Sequence, residues 1–231
     1  MRRMLLALAA AFGLWMACTG HSTSPEAVPP VPRFVPAVPD TAAVEQGIDA
    51  VPEEDAILLQ WRQDEALAAF QLFRRREGEK NYELAAQLTA RDTTFLDRVA
   101  PNLRCRYYLR GANEAGQLSA PSDTLDYMLL NKATDLQIAA GDTLLFSWSI
   151  GLQRPAWYVL RLKEEFSGAM IWIGRVDPGY QGTRESVRYN HDGRARLVRL
   201  QSGVRYLWRL DCVGAAPQSG SESVWQRFIL F

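Results

Sequence analysis

The sequence predicts an all-β protein: two tandem antiparallel β-sandwiches that follow a signal peptide and a Pro-rich tether. Three observations carry this. Short apolar segments with period-two alternation recur between Ile48 and Leu129, broken at close intervals by turn-forming residues. Arg106 to Leu129 reads as a hairpin: Tyr107, Leu109 and Gly111 share one face, Asn113-Glu114-Ala115-Gly116 turns, and Leu125, Tyr127 and Leu129 alternate again. The second half repeats the plan of the first, with Asp142–Trp148 standing where Asp55–Trp61 stand. A chain of 231 residues, less a leader, holds about two domains of roughly 100 to 150 residues.

The chain opens with an address. Arg2 and Arg3 precede an apolar run, Met4 to Met16, too short to cross a bilayer as a mature helix, so residues 1–17 read as a secretory signal peptide. Residues 18–38 form the tether. Pro25, Pro29, Pro30, Pro32, Pro36 and Pro39 with few large apolar neighbours favour an extended, polyproline-like segment.

The first domain spans residues 39–131. Ile48 and Ala50 mark a short first strand, and Ile57, Leu59 and Trp61 share one face of a second. Phe70 and Leu72 face inward on a third, Leu84, Ala86 and Leu88 on a fourth, and Phe95 on a short fifth; the hairpin completes seven. In the second domain, 132–231, Tyr158 and Leu160 correspond to Phe70 and Leu72. Tyr206–Leu210 corresponds to Cys105–Leu109, and Ser223–Phe228 is a final strand. Its interval from Trp148 to Tyr206 is longer than the matching one by about fourteen residues, expected within Phe166–Arg196 around Gly179–Gly182 and His191–Gly193.

The Arg106–Leu129 hairpin resembles the last two strands of fibronectin type III domains, and Trp61 matches their buried core tryptophan. Leu200, Gly203 and Tyr206 resemble the tyrosine corner, in which a Tyr hydroxyl ties down the chain crossing between sheets. Val99 and Cys105 take those places in the first domain, without a hydroxyl. The resemblance covers the first domain closely and the second loosely. It implies immunoglobulin-like sandwiches that serve as spacers or binding platforms and are not enzymes. Ala17-Cys18, ending the apolar run, resembles the bacterial lipobox, which implies lipidation of Cys18 and an outer-membrane lipoprotein of the cell envelope. Trp15 and Met16 depart from that motif, and ordinary cleavage after Gly20 stands as the alternative.

Twenty-six basic residues balance twenty-six acidic ones, which argues against nucleic acid or an anionic membrane surface as the main partner. Arg74-Arg75-Arg76, followed by Glu77 and Glu79, reads as a solvated turn. Cys105 and Cys212 fall in different domains, both facing inward, and read as buried free thiols. No metal-ligand spacing, phosphate-cradling loop or nucleotide fingerprint is present, and no cofactor is expected. His191, beside Asp192-Gly193, reads as a turn residue, and Glu164-Glu165 and Glu53-Glu54-Asp55 as surface charge. Trp157, next to inward-facing Tyr158, is expected to face out. Trp172 is ambiguous; Trp157 and Trp172 are the candidate binding residues for an envelope glycan, the alternative to an envelope protein partner.

Overall fold

The computed structural model describes residues 28–151 and 154–231; the expected signal peptide and Cys18 lie outside them. The described residues form fifteen strands and no helix. In the first half, β1 (Asp49–Ala50), β2 (Ala56–Gln60) and β5 (Thr94–Arg98) form one sheet. β4 (Glu83–Thr89), β3 (Ala69–Arg76), β6 (Arg104–Ala112) and β7 (Leu125–Leu129) form the facing one. The second half repeats this: β8 (Thr134–Ala139), β9 (Leu145–Ser149) and β12 (Arg184–Arg188) face β11 (Met170–Val176), β10 (Trp157–Glu164), β13 (Arg205–Val213) and the pair β14 (Ser219–Glu222) and β15 (Gln226–Ile229). These are tandem immunoglobulin-like β-sandwiches. Each core fills from alternate positions: Ile57, Leu59, Trp61, Phe70, Leu72, Tyr107 and Leu109 in one, Phe146, Trp148, Tyr158, Leu160, Trp208 and Leu210 in the other.

The expected last strand, Ser223–Phe228, is broken, and the break is duplicated. The Leu109 amide donates to Ser122 Oγ and the Leu210 amide to Ser223 Oγ, each at 2.9 Å, so a serine hydroxyl replaces a ladder carbonyl at the same place in both halves. The tyrosine corner also forms: the Gln201 amide donates to Tyr206 Oη at 2.9 Å. In the first half, where no corner tyrosine stands, Tyr107 Oη instead donates to Asp97 on β5 at 2.8 Å, and Asp97 also takes Arg74.

Other expectations need correction. Leu84 is 46 % exposed rather than inward, because the ladder slips between Leu72 and Phe73 and leaves Ala85 as the extra residue of a bulge. The insertion lies mainly in the β12–β13 connection, sixteen residues against five between β5 and β6; the turn at Phe166 adds none of it. Part of the predicted tether is docked on the first sandwich. Phe34 bridges to Trp61, the Val35 amide donates to the Gln60 carbonyl and the Arg62 amide to the Arg33 carbonyl, both at 2.9 Å, and Pro32 is buried. The prolines do not prevent this, because the residues between them, Arg33 to Val35, keep their amides and supply one aromatic side chain to the core.

The two sandwiches are joined through their sheets. β14 pairs parallel with β7, Ser219 against Met128 and Gly220 against Leu129, which makes one continuous nine-stranded sheet. Gly220 permits this approach: a Cβ there would stand 2.9 Å from the Cys212 carbonyl oxygen and 2.9 Å from Tyr127 Oη. Registers across the junction align Leu129, Gly220, Val213 and Trp157. Residues in register point to one face. The core-facing side of the first sandwich therefore continues as the outer side of the second, and the two three-stranded sheets lie on opposite faces of the shared one.

Candidate interaction surface

The shared sheet has two outer faces, one per sandwich, and the chain treats them differently. On the second sandwich the central outer positions of β10 and β13 are Val159, Arg161, Arg209 and Asp211, all buried. The segment that precedes β1 crosses them. Arg161 donates to the carbonyls of Asp40 and Ala42, each at 2.6 Å, and to Asp211 Oδ2 at 2.6 Å, and pairs with Glu45 at 2.9 Å. Arg209 pairs with Glu45, with Asp211 at 2.9 Å and with Glu222 at 2.8 Å. Trp225 closes the side, with Lys163 4.0 Å and Arg209 5.0 Å from its ring centroid. Asp49 takes the Tyr127 hydroxyl at 3.1 Å, and Lys132 donates to three carbonyls, those of Val51, Pro52 and Glu54.

The carboxylates outnumber the guanidinium groups here, and burial decides their protonation. Burial, then the Asp211 charge, pushes Glu222 up to about 10; burial, then Glu45, pushes Asp49 up to about 7; Asp211 is raised by burial against the pull of Arg209 and Arg161. Glu45, Asp211 and Glu222 approach closely enough to share an ion, yet the Arg209 guanidinium already bridges all three. The cluster is a strap lock between the leading segment and the second sandwich.

On the first sandwich the corresponding face is open. Phe73 and Tyr108 stack across β3 and β6 with ring centroids 4.8 Å apart, Tyr82 meets Tyr108 edge-on at 4.8 Å, and Arg75 lies over Tyr82 at 4.9 Å. Arg106 and Arg110 flank Tyr108 on β6. Arg104 pairs with Asp126 at 2.7 Å, and Arg110 donates to the Ser119 carbonyl at 2.9 Å. Arg106 is exposed. A cleft of about 240 Å³ beside it is lined by Arg75, Arg76, Glu77, Gly78, Glu79, Arg104 and Arg106. The arginine run that read as a solvated turn is thus divided: Arg74 points inward to Asp97, while Arg75 joins the aromatic face.

The tryptophans predicted to bind are not brought together. Trp172 is 1 % exposed: it packs against Phe146 and Tyr189, and its indole donates to Asp192 at 2.9 Å. It belongs to the core and cannot stack on a ligand, because the long β12–β13 connection roofs it. Trp157 faces out as expected, half-buried, with Arg175 4.6 Å over its ring. Cys105 and Cys212 are free and buried, and burial raises both thiols, Cys212 to about 12. His191 is an exposed turn residue whose ring lies 5.6 Å from that of Trp172.

No family model matches the chain, and no curated protein matches it. Among solved structures it is similar to a two-domain fibronectin type III segment of chicken tenascin at 20% identity, covering 79% of this chain and 96% of that one, with a TM-score of 0.33. It is also similar to the FN1–FN3 domains of chicken CNTN1 at 12% identity, covering 81% and 69%, with a TM-score of 0.34.

Proposed function

We propose that this chain is a non-catalytic protein-interaction module of the bacterial cell envelope, exported and anchored through a lipid on Cys18, whose partner docks on the open face of β3 and β6. The observation that carries this reading is the asymmetry of the shared sheet. One outer face is sealed by a chain segment and a buried charge network; its counterpart presents Phe73, Arg75, Arg106 and Tyr108 on strands, with Tyr82 packed against them from the β3–β4 turn. Tyrosine and arginine on a flat, preorganised surface are the residues that dominate binding energy at protein interfaces. The arginines select an acidic partner surface. A glycan reading retains only Trp157, and Arg175 already occupies one side of that ring.

Photo-crosslinking in intact cells tests the face. A crosslinker at Tyr108 gives a discrete product that Arg106→Glu abolishes, and one at Arg184, on the separate β12 sheet, gives none. Equal products from both positions reject the assignment. The anchor is tested separately: Cys18→Ser moves the protein out of the membrane fraction, and retention there rejects lipidation.

A further inference from the structure

We propose that the end of the second sandwich formed by the β10–β11 turn and the β12–β13 connection is a docking surface for an anionic membrane. The connection is the largest departure from the first sandwich, and it is held in shape. Tyr189 Oη donates to the Leu197 carbonyl at 2.6 Å, the Ala195 amide to Asn190 Oδ1 at 2.9 Å, and the Arg196 amide to the Ile171 carbonyl at 2.8 Å. Ala195, Leu197, Leu200 and Val204 pack against the core. With those side chains turned in, Arg194, Arg196, Val198 and Arg199 project outward, and Val198 is 82 % exposed.

The neighbouring turn adds a second apolar tip. Phe166 is 99 % exposed, one residue beyond Glu165, whose amide donates to the Arg205 carbonyl at 3.0 Å and so fixes the turn against the start of β13. The acids at this end are already engaged: Glu165 by Arg227, Glu164 by the Ser167 hydroxyl at 2.7 Å, and Asp192 by the Trp172 indole and the Arg194 amide. Among the described residues, Arg194, Arg199 and Arg205 have no acidic partner within ion-pair distance.

Two protruding apolar side chains at an end that also carries exposed Arg194, Arg196 and Arg199 match a bilayer interface better than a flat protein surface. The tips enter the headgroup–acyl boundary while guanidinium groups stay at the phosphates. Each arginine near an anionic leaflet strengthens binding about fivefold. The neutral net charge of the chain averages this end away. β14 runs parallel to β7, and β13 antiparallel to β14, so the Arg205 end of the second sandwich points away from the end of the first that holds Phe34 beside Trp61. The surface therefore lies away from the end where the leading segment docks on the first sandwich.

Vesicle flotation tests it, with the chain carrying Cys18→Ser so that acylation contributes nothing. We expect flotation with phosphatidylglycerol-containing vesicles, little with phosphatidylcholine alone, and loss of binding at high salt. F166S/V198S and R194E/R199E each weaken it by about tenfold or more. Both variants alter exposed side chains and keep the wild-type melting temperature. Absence of flotation with anionic vesicles, equal binding to neutral ones, or unchanged binding of F166S/V198S overturns the proposal. So does concentration-dependent self-association abolished by F166S/V198S without vesicle binding, which assigns these tips to a second copy of the chain.

Discussion

Replacing Glu222 by Gln should stabilise this protein at alkaline pH, although it alters a side chain that contacts Arg209. Glu222 is 4 % exposed on β14, beside Asp211 on the paired strand, with Arg209 at 2.8 Å. Burial and the Asp211 charge raise it from 4.5 to about 10. A carboxyl raised in the fold keeps its proton where the unfolded chain has released it. Its stabilisation is complete below about pH 4.5 and is lost as pH climbs toward 10. One such proton gives a slope of about 1.4 kcal/mol per pH unit, so from about pH 6 to about pH 8 the wild type loses on the order of 3 kcal/mol through this group. Asp49, raised to about 7, adds its own loss below that value. Glutamine keeps an oxygen to accept from Arg209 and has no proton to lose. Urea unfolding across that range, compared at constant m-value, measures it. The wild-type midpoint should fall with pH, and E222Q should flatten the fall by about one proton's worth. A wild-type midpoint that rises with pH, or an E222Q slope equal to wild type, refutes the reasoning.

Two further substitutions probe the frame around this cluster. Tyr206→Phe removes the hydroxyl that accepts the Gln201 amide and should cost about 1 kcal/mol in chemical denaturation, with the fold retained. Gly220→Ala places a methyl 2.9 Å from the Cys212 carbonyl and from Tyr127 Oη. It should cost about 1–3 kcal/mol and speed amide exchange at Met128 and Leu130 while sparing β3 and β10.

Much of each sandwich was legible because alternation reports burial directly. Tyr107 and Leu109, and Trp61 and Trp148, stand where period-two patterning puts them, and the Tyr206 corner stands where the fibronectin type III resemblance implies it. The buried charge cluster stayed hidden for a definite reason. Arg161, Arg209 and Asp211 occupy outward positions, where polar residues normally mean solvent, and the strap from Asp40 to Glu45, with Trp225 at its side, buries them. The signal was a strand with Arg209 and Asp211 two positions apart, opposite Arg161 and Glu222, a charge density that a solvated face does not require. Trp172 failed for the opposite reason: it lies on the sequence-ambiguous edge strand β11, and the connection that covers it begins seventeen residues later. The open face was divided in the sequence between Phe73–Arg75, Tyr82 and Arg106–Arg110, and it became one surface only through the pairing of β3 with β4 and β6.

The partner-docking reading depends on the single sheet that joins the sandwiches, since it puts the sealed and open faces on opposite sides. Residue-resolved hydrogen exchange at Met128 and Leu130 tests that sheet directly. Their amides donate to the Gln218 carbonyl at 3.0 Å and the Gly220 carbonyl at 2.9 Å across the junction. The account predicts protection comparable to that of Leu109 in the centre of β6. Exchange at the rate of an exposed loop, with β6 still protected, would show two sandwiches that do not share a sheet, and would contradict it.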